Sequence, residues 1–153
     1  MELVKQFSVS LVNKPGRVAA VLTALNKEKL VLRAFVVMAI GGRGILRMVP
    51  DDPQRAAEAL VAINVKFDAT SVLMVDVPSH SGGLPKICQR LAGEHLNIDY
   101  VYGSQHSGGN RGGALEVVKV NDLAKAQRVL NDSSASSGLR ANKQPRRRPT
   151  HAR

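Results

Sequence analysis

The chain has 153 residues, of which 44% are hydrophobic and 3% aromatic, so its core must be built mainly from aliphatic side chains. The formal net charge is +10, but six basic and no acidic residues lie between residues 133 and 153. Residues 1–132 carry 16 basic and 12 acidic side chains, a net charge of +4, which weakens the case for nucleic-acid binding by the body.

The amino-acid content also excludes several classes of protein. Cys88 is the single cysteine, which rules out an internal disulfide and suits a reducing compartment. No apolar run is long enough to span a membrane, and the N-terminus lacks the features of a secretory signal. We therefore expect a cytoplasmic protein.

The first half of the chain is predicted to form a strand, a helix, two strands, a helix and a short strand. Residues 5–12 alternate apolar and polar as in a half-buried strand. Val18, Val21, Leu22 and Leu25 then recur at helical spacing. The remaining elements are predicted as strands at 31–39 and 45–49 joined by a glycine connector, a helix beginning near 53, and a strand at 65–70.

The second half repeats this pattern. A shift of 66 residues places Val9 on Val75 and Gly16 on Gly82, and a shift of 70 places Asp52 on Asp122. The predicted elements of the second copy are strands at 71–77, 97–103 and 114–120 and helices at 83–93 and 121–131.

These elements predict an α+β fold of two βαββαβ units side by side, with an antiparallel sheet of seven or eight strands and helices on one face. The first unit covers residues 4–70 and the second covers 71–132. Residues 133–153 are basic and rich in serine, so we expect a disordered tail or at best one short edge strand.

The first turn from strand to helix is the strongest candidate for a ligand site. It reads Asn13-Lys14-Pro15-Gly16, and a helix N-terminus offers free N–H groups to a carboxylate. Gly16 leaves the backbone open to close approach, and Asn13 can both donate and accept hydrogen bonds. The same residues would also form an ordinary turn and helix start without any ligand.

The order of elements and the Asn13–Gly16 loop resemble the ACT domain, a small regulatory module of amino-acid metabolism. The repeat resembles stand-alone proteins with two such domains. In the second unit Ser79-His80-Ser81-Gly82 keeps the glycine of the loop but lacks the Asn and the Pro, and Leu96-Asn97-Ile98-Asp99-Tyr100 resembles the second strand of the family.

The resemblance implies a ferredoxin-like fold for each unit and an amino acid held between paired units. It also implies a homodimer and a possible partner enzyme. No metal is expected, because the four histidines lack metal-ligand spacing and one cysteine cannot make a zinc site, and no cofactor is expected, because the sequence has no cofactor motif. The ligand-binding residues that the resemblance nominates are Asn13, Pro15, Gly16, Val18, Ser79, Ser81, Gly82, Gly83, Leu84, Asn97 and Ile98.

Two other functions are compatible with parts of the sequence. One is a regulatory subunit of an amino-acid biosynthetic enzyme, such as the small subunit of acetolactate synthase, which also begins with an ACT unit. The other is weak nucleic-acid binding through the arginines at 146–148. Neither third strand carries the aromatic side chains that RNA-binding βαββαβ domains use for base stacking, which disfavours RNA reading. Catalysis is not expected, since the chain has no recognisable arrangement of nucleophile, acid and base.

Overall fold

The computed structural model describes residues 1–78, 82–106 and 113–137. It contains six strands and four helices within these residues. The strands are β1 (Glu2–Val12), β2 (Leu32–Ile40), β3 (Arg43–Pro50), β4 (Phe67–Pro78), β5 (Ile98–His106) and β6 (Gly113–Val120). The helices are α1 (Arg17–Lys27), α2 (Pro53–Ala62), α3 (Gly83–Gly93) and α4 (Leu123–Ser137). No described helix is long and apolar enough to cross a membrane.

The strands form one antiparallel sheet in the order β2-β3-β1-β4-β6-β5. The first four strands have the order of a ferredoxin-like unit, with β4 as the last strand. In the second unit β4 takes the place of the first strand, and β1 lies where the fourth strand would be. The predicted fold class is confirmed.

The predicted number of strands is wrong for the part of the chain that the structure describes. The strands expected at 65–70 and 71–77 are one continuous strand, β4, because no glycine or proline interrupts the chain between Phe67 and Val77. Its first half pairs with β1 and its second half pairs with β6. The predicted unit boundary at 70/71 therefore lies inside a strand that both units share.

The start of the predicted tail is also different. Helix α4 continues past Asp132 to Ser137, so the first residues of the expected disordered segment are helical. Residues 138–153 lie outside the described residues.

The repeat is visible in the local hydrogen bonds that begin the helices. Asp52 caps α2 by accepting a bond from the Arg55 N–H at 3.1 Å, and Asp122 accepts from the Lys125 N–H at 2.9 Å. At the centre of the sheet, Lys5 of the first copy pairs with Ser71, the residue that occupies the same position in the second copy at the shift of 66 residues. The two units are thus related by an approximate two-fold axis through the β1–β4 pair.

Each unit has its own core between its helices and the sheet. The first is centred on Leu25, Leu46 and Leu60, and the second on Leu73, Leu91 and Val118, all nearly or fully buried. Because opposite residues of paired antiparallel strands point to the same face, the registers place both helix pairs on one face of the sheet.

The other face of the sheet carries none of the described helices, yet it is not open to solvent throughout. A third buried cluster lies there and includes Val72, Met74 and Val117. The sheet curls around this face until the two edge strands, β2 and β5, approach each other. We call this concave side the helix-free face.

Candidate functional site

The first glycine loop has the geometry of an accessible helix N-terminus. Gly16 is the N-cap of α1 with φ +85°, and a side chain there would meet no atom within 4 Å. The loop is held by a bond from the Asn13 N–H to the Gly42 carbonyl at 3.1 Å. Asn13 and Pro15 are exposed and Val18 is half-buried. These residues therefore lie together at one end of the first unit.

The second glycine loop has the same backbone geometry. Gly82 is the N-cap of α3 with φ +100°, again with open space beside it. Gly83 and Leu84 follow in the first turn, and Leu84 packs against the core of the second unit. Ser79 and Ser81 lie outside the described residues.

The structure does not bring Asn97 and Ile98 to the second loop. The Asn97 N–H donates to the Asn121 side chain at 3.0 Å, and Ile98 pairs with Val120. Val120 is at the C-terminal end of β6, whereas Gly113 is at its N-terminal end. Gly113 pairs with Pro78 of β4, the strand that leads into the Gly82 loop. Ile98 packs on the second core, so its side chain is a structural contact.

The two glycine loops also lie far from each other along the sheet. Each loop follows the C-terminal end of its strand, and β1 and β4 run antiparallel. The loops therefore lie at opposite ends of the β1–β4 pair.

The helix-free face holds a polar cluster that joins the two units. Gln6 of β1 is fully buried. Its Nε2 donates to the Tyr100 hydroxyl at 2.6 Å, and its Oε1 accepts from the Tyr102 hydroxyl at 2.9 Å. The amide of one unit is thus satisfied by two phenols of the other, as a buried polar group requires.

Arg47 of β3 completes this cluster. Its guanidinium lies over the Tyr100 ring, 4.0 Å from the ring centroid, in a cation–π contact. Its Nε is buried and has no hydrogen-bond acceptor among the described residues. The two tyrosine rings stack with centroids 6.3 Å apart.

A pocket of about 540 Å³ opens beside Arg47 and Tyr100, within the size range of small-molecule sites. Ser8, Ser10 and Thr70 are among its lining residues, and Lys66 and Asp68 contribute opposite charges.

The electrostatic setting of Tyr102 differs from that of an exposed phenol. Burial raises the pKa of Tyr102 well above its ordinary value, the neighbouring Tyr100 adds to the shift, and Arg47 opposes it. The phenol is therefore a neutral hydrogen-bond donor across the physiological pH range.

Sequence reasoning missed this cluster because alternation assigns Gln6 to a solvent-facing position. A usable signal was present in β4, where Val72 and Met74 alternate with core residues, so that the strand is apolar on both faces. A strand that is apolar on both faces is expected to be covered on both.

The described residues contain no group of acidic, histidine or cysteine side chains that could hold a metal ion. The glycine-rich segment at 107–112 lies outside the described residues, between two strands that pair as a hairpin.

The fold is that of two ferredoxin-like modules fused through a shared strand. The family model of the ACT domain pair matches residues 1–136, and the chain belongs to this family. This confirms the resemblance drawn from the Asn13–Gly16 loop and the repeat.

Solved structures share the fold. A protein from Bacteroides thetaiotaomicron is 30% identical, with 86% of this chain and 89% of that chain covered and a TM-score of 0.79. The ligand-free regulatory subunit of aspartate kinase from Thermus thermophilus shares the fold at 16% identity, 87% and 97% coverage and a TM-score of 0.58. Its counterpart from Thermus flavus has 19% identity, 88% and 94% coverage and a TM-score of 0.60. The comparison with curated protein sequences gave no match.

Proposed function

We propose that this protein is an amino-acid-binding regulator of amino-acid metabolism, a sensor without catalytic activity of its own, in which the ligand is held between ACT units. The observation that carries the proposal is the match of the ACT domain pair to nearly the whole described chain. The two open left-handed glycines at helix N-termini support it, since such a terminus offers free N–H groups to a carboxylate.

The placement of the loops favours a homodimer. Because they lie at opposite ends of the β1–β4 pair, a ligand that touches a glycine loop and a second ACT unit would be held between two copies of the chain. The edge strand β2 exposes Phe35, Val37 and Ile40, and an exposed apolar edge favours pairing with another chain. Light scattering on the full chain after size-exclusion chromatography should give twice the monomer mass. Ile40→Lys should lower the measured mass towards that of the monomer. A monomeric wild type would contradict this part.

A partner enzyme is part of the proposal. A Thermus protein of the same fold is the regulatory subunit of aspartate kinase, so a role as a regulatory subunit, including that of an enzyme such as acetolactate synthase, is the second candidate. The single cysteine suits a reducing compartment such as the cytoplasm.

Thermal unfolding of the full chain against the twenty amino acids tests the sensor function. A ligand at 100 times its dissociation constant should stabilise the native state by about 2.7 kcal/mol, a shift of several degrees. If the glycine loops form the site, the shift should be lost in Asn13→Ala or Gly82→Val and kept in Asn26→Ala, an exposed asparagine on α1. Absence of a shift with every amino acid would refute the proposal.

A further inference from the structure

The pocket on the helix-free face is built by both units. Arg47 and the serines at 8 and 10 come from the first unit, Tyr100 comes from the second, and Thr70 comes from the shared strand. Buried Gln6 donates a hydrogen bond to the Tyr100 hydroxyl and so holds this pocket-lining side chain in position. A pocket with a wall that is preorganised in this way binds at lower entropic cost.

Two hydrogen-bond donors at this wall lack acceptors. The Nε of Arg47 is buried without a partner among the described residues. The Tyr100 hydroxyl accepts from Gln6, and its own proton has no acceptor in the described part of the chain. A buried donor without an acceptor costs free energy. A bound carboxylate would accept from the Tyr100 hydroxyl and pair with the positive charge of the Arg47 guanidinium, since both side chains line the pocket.

The charges in the pocket restrict the class of ligand further. Lys66 and Asp68 line it, and within residues 1–78, 82–106 and 113–137 neither side chain forms an ion pair or hydrogen bond. A dicarboxylate would be repelled by Asp68, whereas a ligand with one carboxylate and one ammonium meets an opposite charge at each end.

We propose that this pocket is a ligand site separate from the glycine loops, in which Arg47 and Tyr100 bind the carboxylate of a free amino acid and Asp68 binds its ammonium group. The inference rests on the proposed function for its ligand class and differs from it in the residues that hold the ligand.

The tyrosines provide a readout confined to this site. The chain has no tryptophan, and its two tyrosines are Tyr100, in the pocket wall, and Tyr102, beside it. Titration of the full chain with each of the twenty amino acids, followed by tyrosine emission, should show a saturable change for the ligand. The C-terminal amide of the same amino acid should cause none, because it lacks the carboxylate.

Variants then assign the contacts. Arg47→Met should weaken binding about tenfold to a hundredfold, as expected for a lost charge-assisted bond. Arg47→Lys keeps the charge but not the planar group, so its affinity should lie between those of the wild type and Arg47→Met. Asp68→Asn should weaken binding of the amino acid but not of the corresponding carboxylic acid that lacks the amino group. Arg128→Met is the matched control, since Arg128 is exposed on α4, on the opposite face of the sheet and outside the pocket lining, and its loss should leave the affinity unchanged.

Far-ultraviolet circular dichroism establishes that each variant is folded before it is titrated. One result would show that the pocket is not the ligand site while leaving the sensor function intact. In that result an amino acid stabilises the chain, tyrosine emission does not change, and the affinity of Arg47→Met equals that of the wild type. A glycine-loop variant would then lose the stabilisation. If no amino acid stabilises the wild type or alters its emission, both proposals fall.

Discussion

Replacing Gln6 by leucine tests whether the buried bridge between the units stabilises the fold. Leucine is close in size to glutamine, so the change removes hydrogen bonds without opening a large cavity. Gln6 is fully buried and bonds to Tyr100 and Tyr102 at 2.6 and 2.9 Å. The variant loses two hydrogen bonds, each worth about 1 kcal/mol net, and leaves the buried Tyr102 hydroxyl without its acceptor. We therefore expect the unfolding free energy to fall by about 2–3 kcal/mol.

Urea unfolding followed by far-ultraviolet circular dichroism measures this loss. Tyr102→Phe combined with Gln6→Leu removes both members of the pair, so the double variant should lose at least about 1 kcal/mol less than the sum of the single variants. Gln54→Leu is the matched control, because Gln54 is exposed on α2 and its loss should change stability by less than about 0.5 kcal/mol. A Gln6→Leu variant as stable as the wild type, or additive single effects, would refute the reasoning.

Three further results are expected. Because the pKa of Tyr102 is raised, the stability that it contributes is fully present below about pH 10 and is lost as the pH rises from there towards the folded pKa, so one tyrosine should ionise late in a spectrophotometric titration. The pair of Glu2 and Arg33 is bidentate but largely exposed, so a double-mutant cycle should give less than about 1 kcal/mol, and because the Glu2 pKa is lowered, that contribution should fade as the pH drops below the ordinary glutamate value. Gly16→Val should destabilise by about 1–2 kcal/mol through backbone strain, whereas Gly93→Ala, in a helical conformation with open space, should not destabilise; equal losses in chemical denaturation would contradict this.

The paired units were predictable because local chemistry specifies them. Asp52 and Asp122 are helix caps in both copies, and their bonds to the following backbone are made within three residues. The same holds for Gly16 and Gly82, whose left-handed backbone is a local requirement of each turn. Such features need no knowledge of distant parts of the chain.

The shared strand was not predictable from the same rules. Alternation predicts that Phe67–Val77 is extended, but it does not say which strands pair on either side. β4 pairs with both β1 and β6, and among the described residues the second unit has no fourth strand of its own, so β1 takes that place. Gln6 and Tyr100 meet only after this pairing, since 94 residues separate them in the chain.

The curl of the sheet connects the proposed pocket with regulation. Arg47 on β3 and Tyr100 on β5 are separated in the sheet by β1, β4 and β6, so they touch only because the sheet is curled. A ligand bound to both side chains therefore binds the curled arrangement more tightly than a flatter one, and it shifts the protein towards the curled state by that difference in affinity. The helices pack on the opposite face of the same strands, so a change in curl changes the spacing of the two helix pairs. A partner that contacts both helix pairs would therefore bind the curled and the flatter arrangements with different affinities.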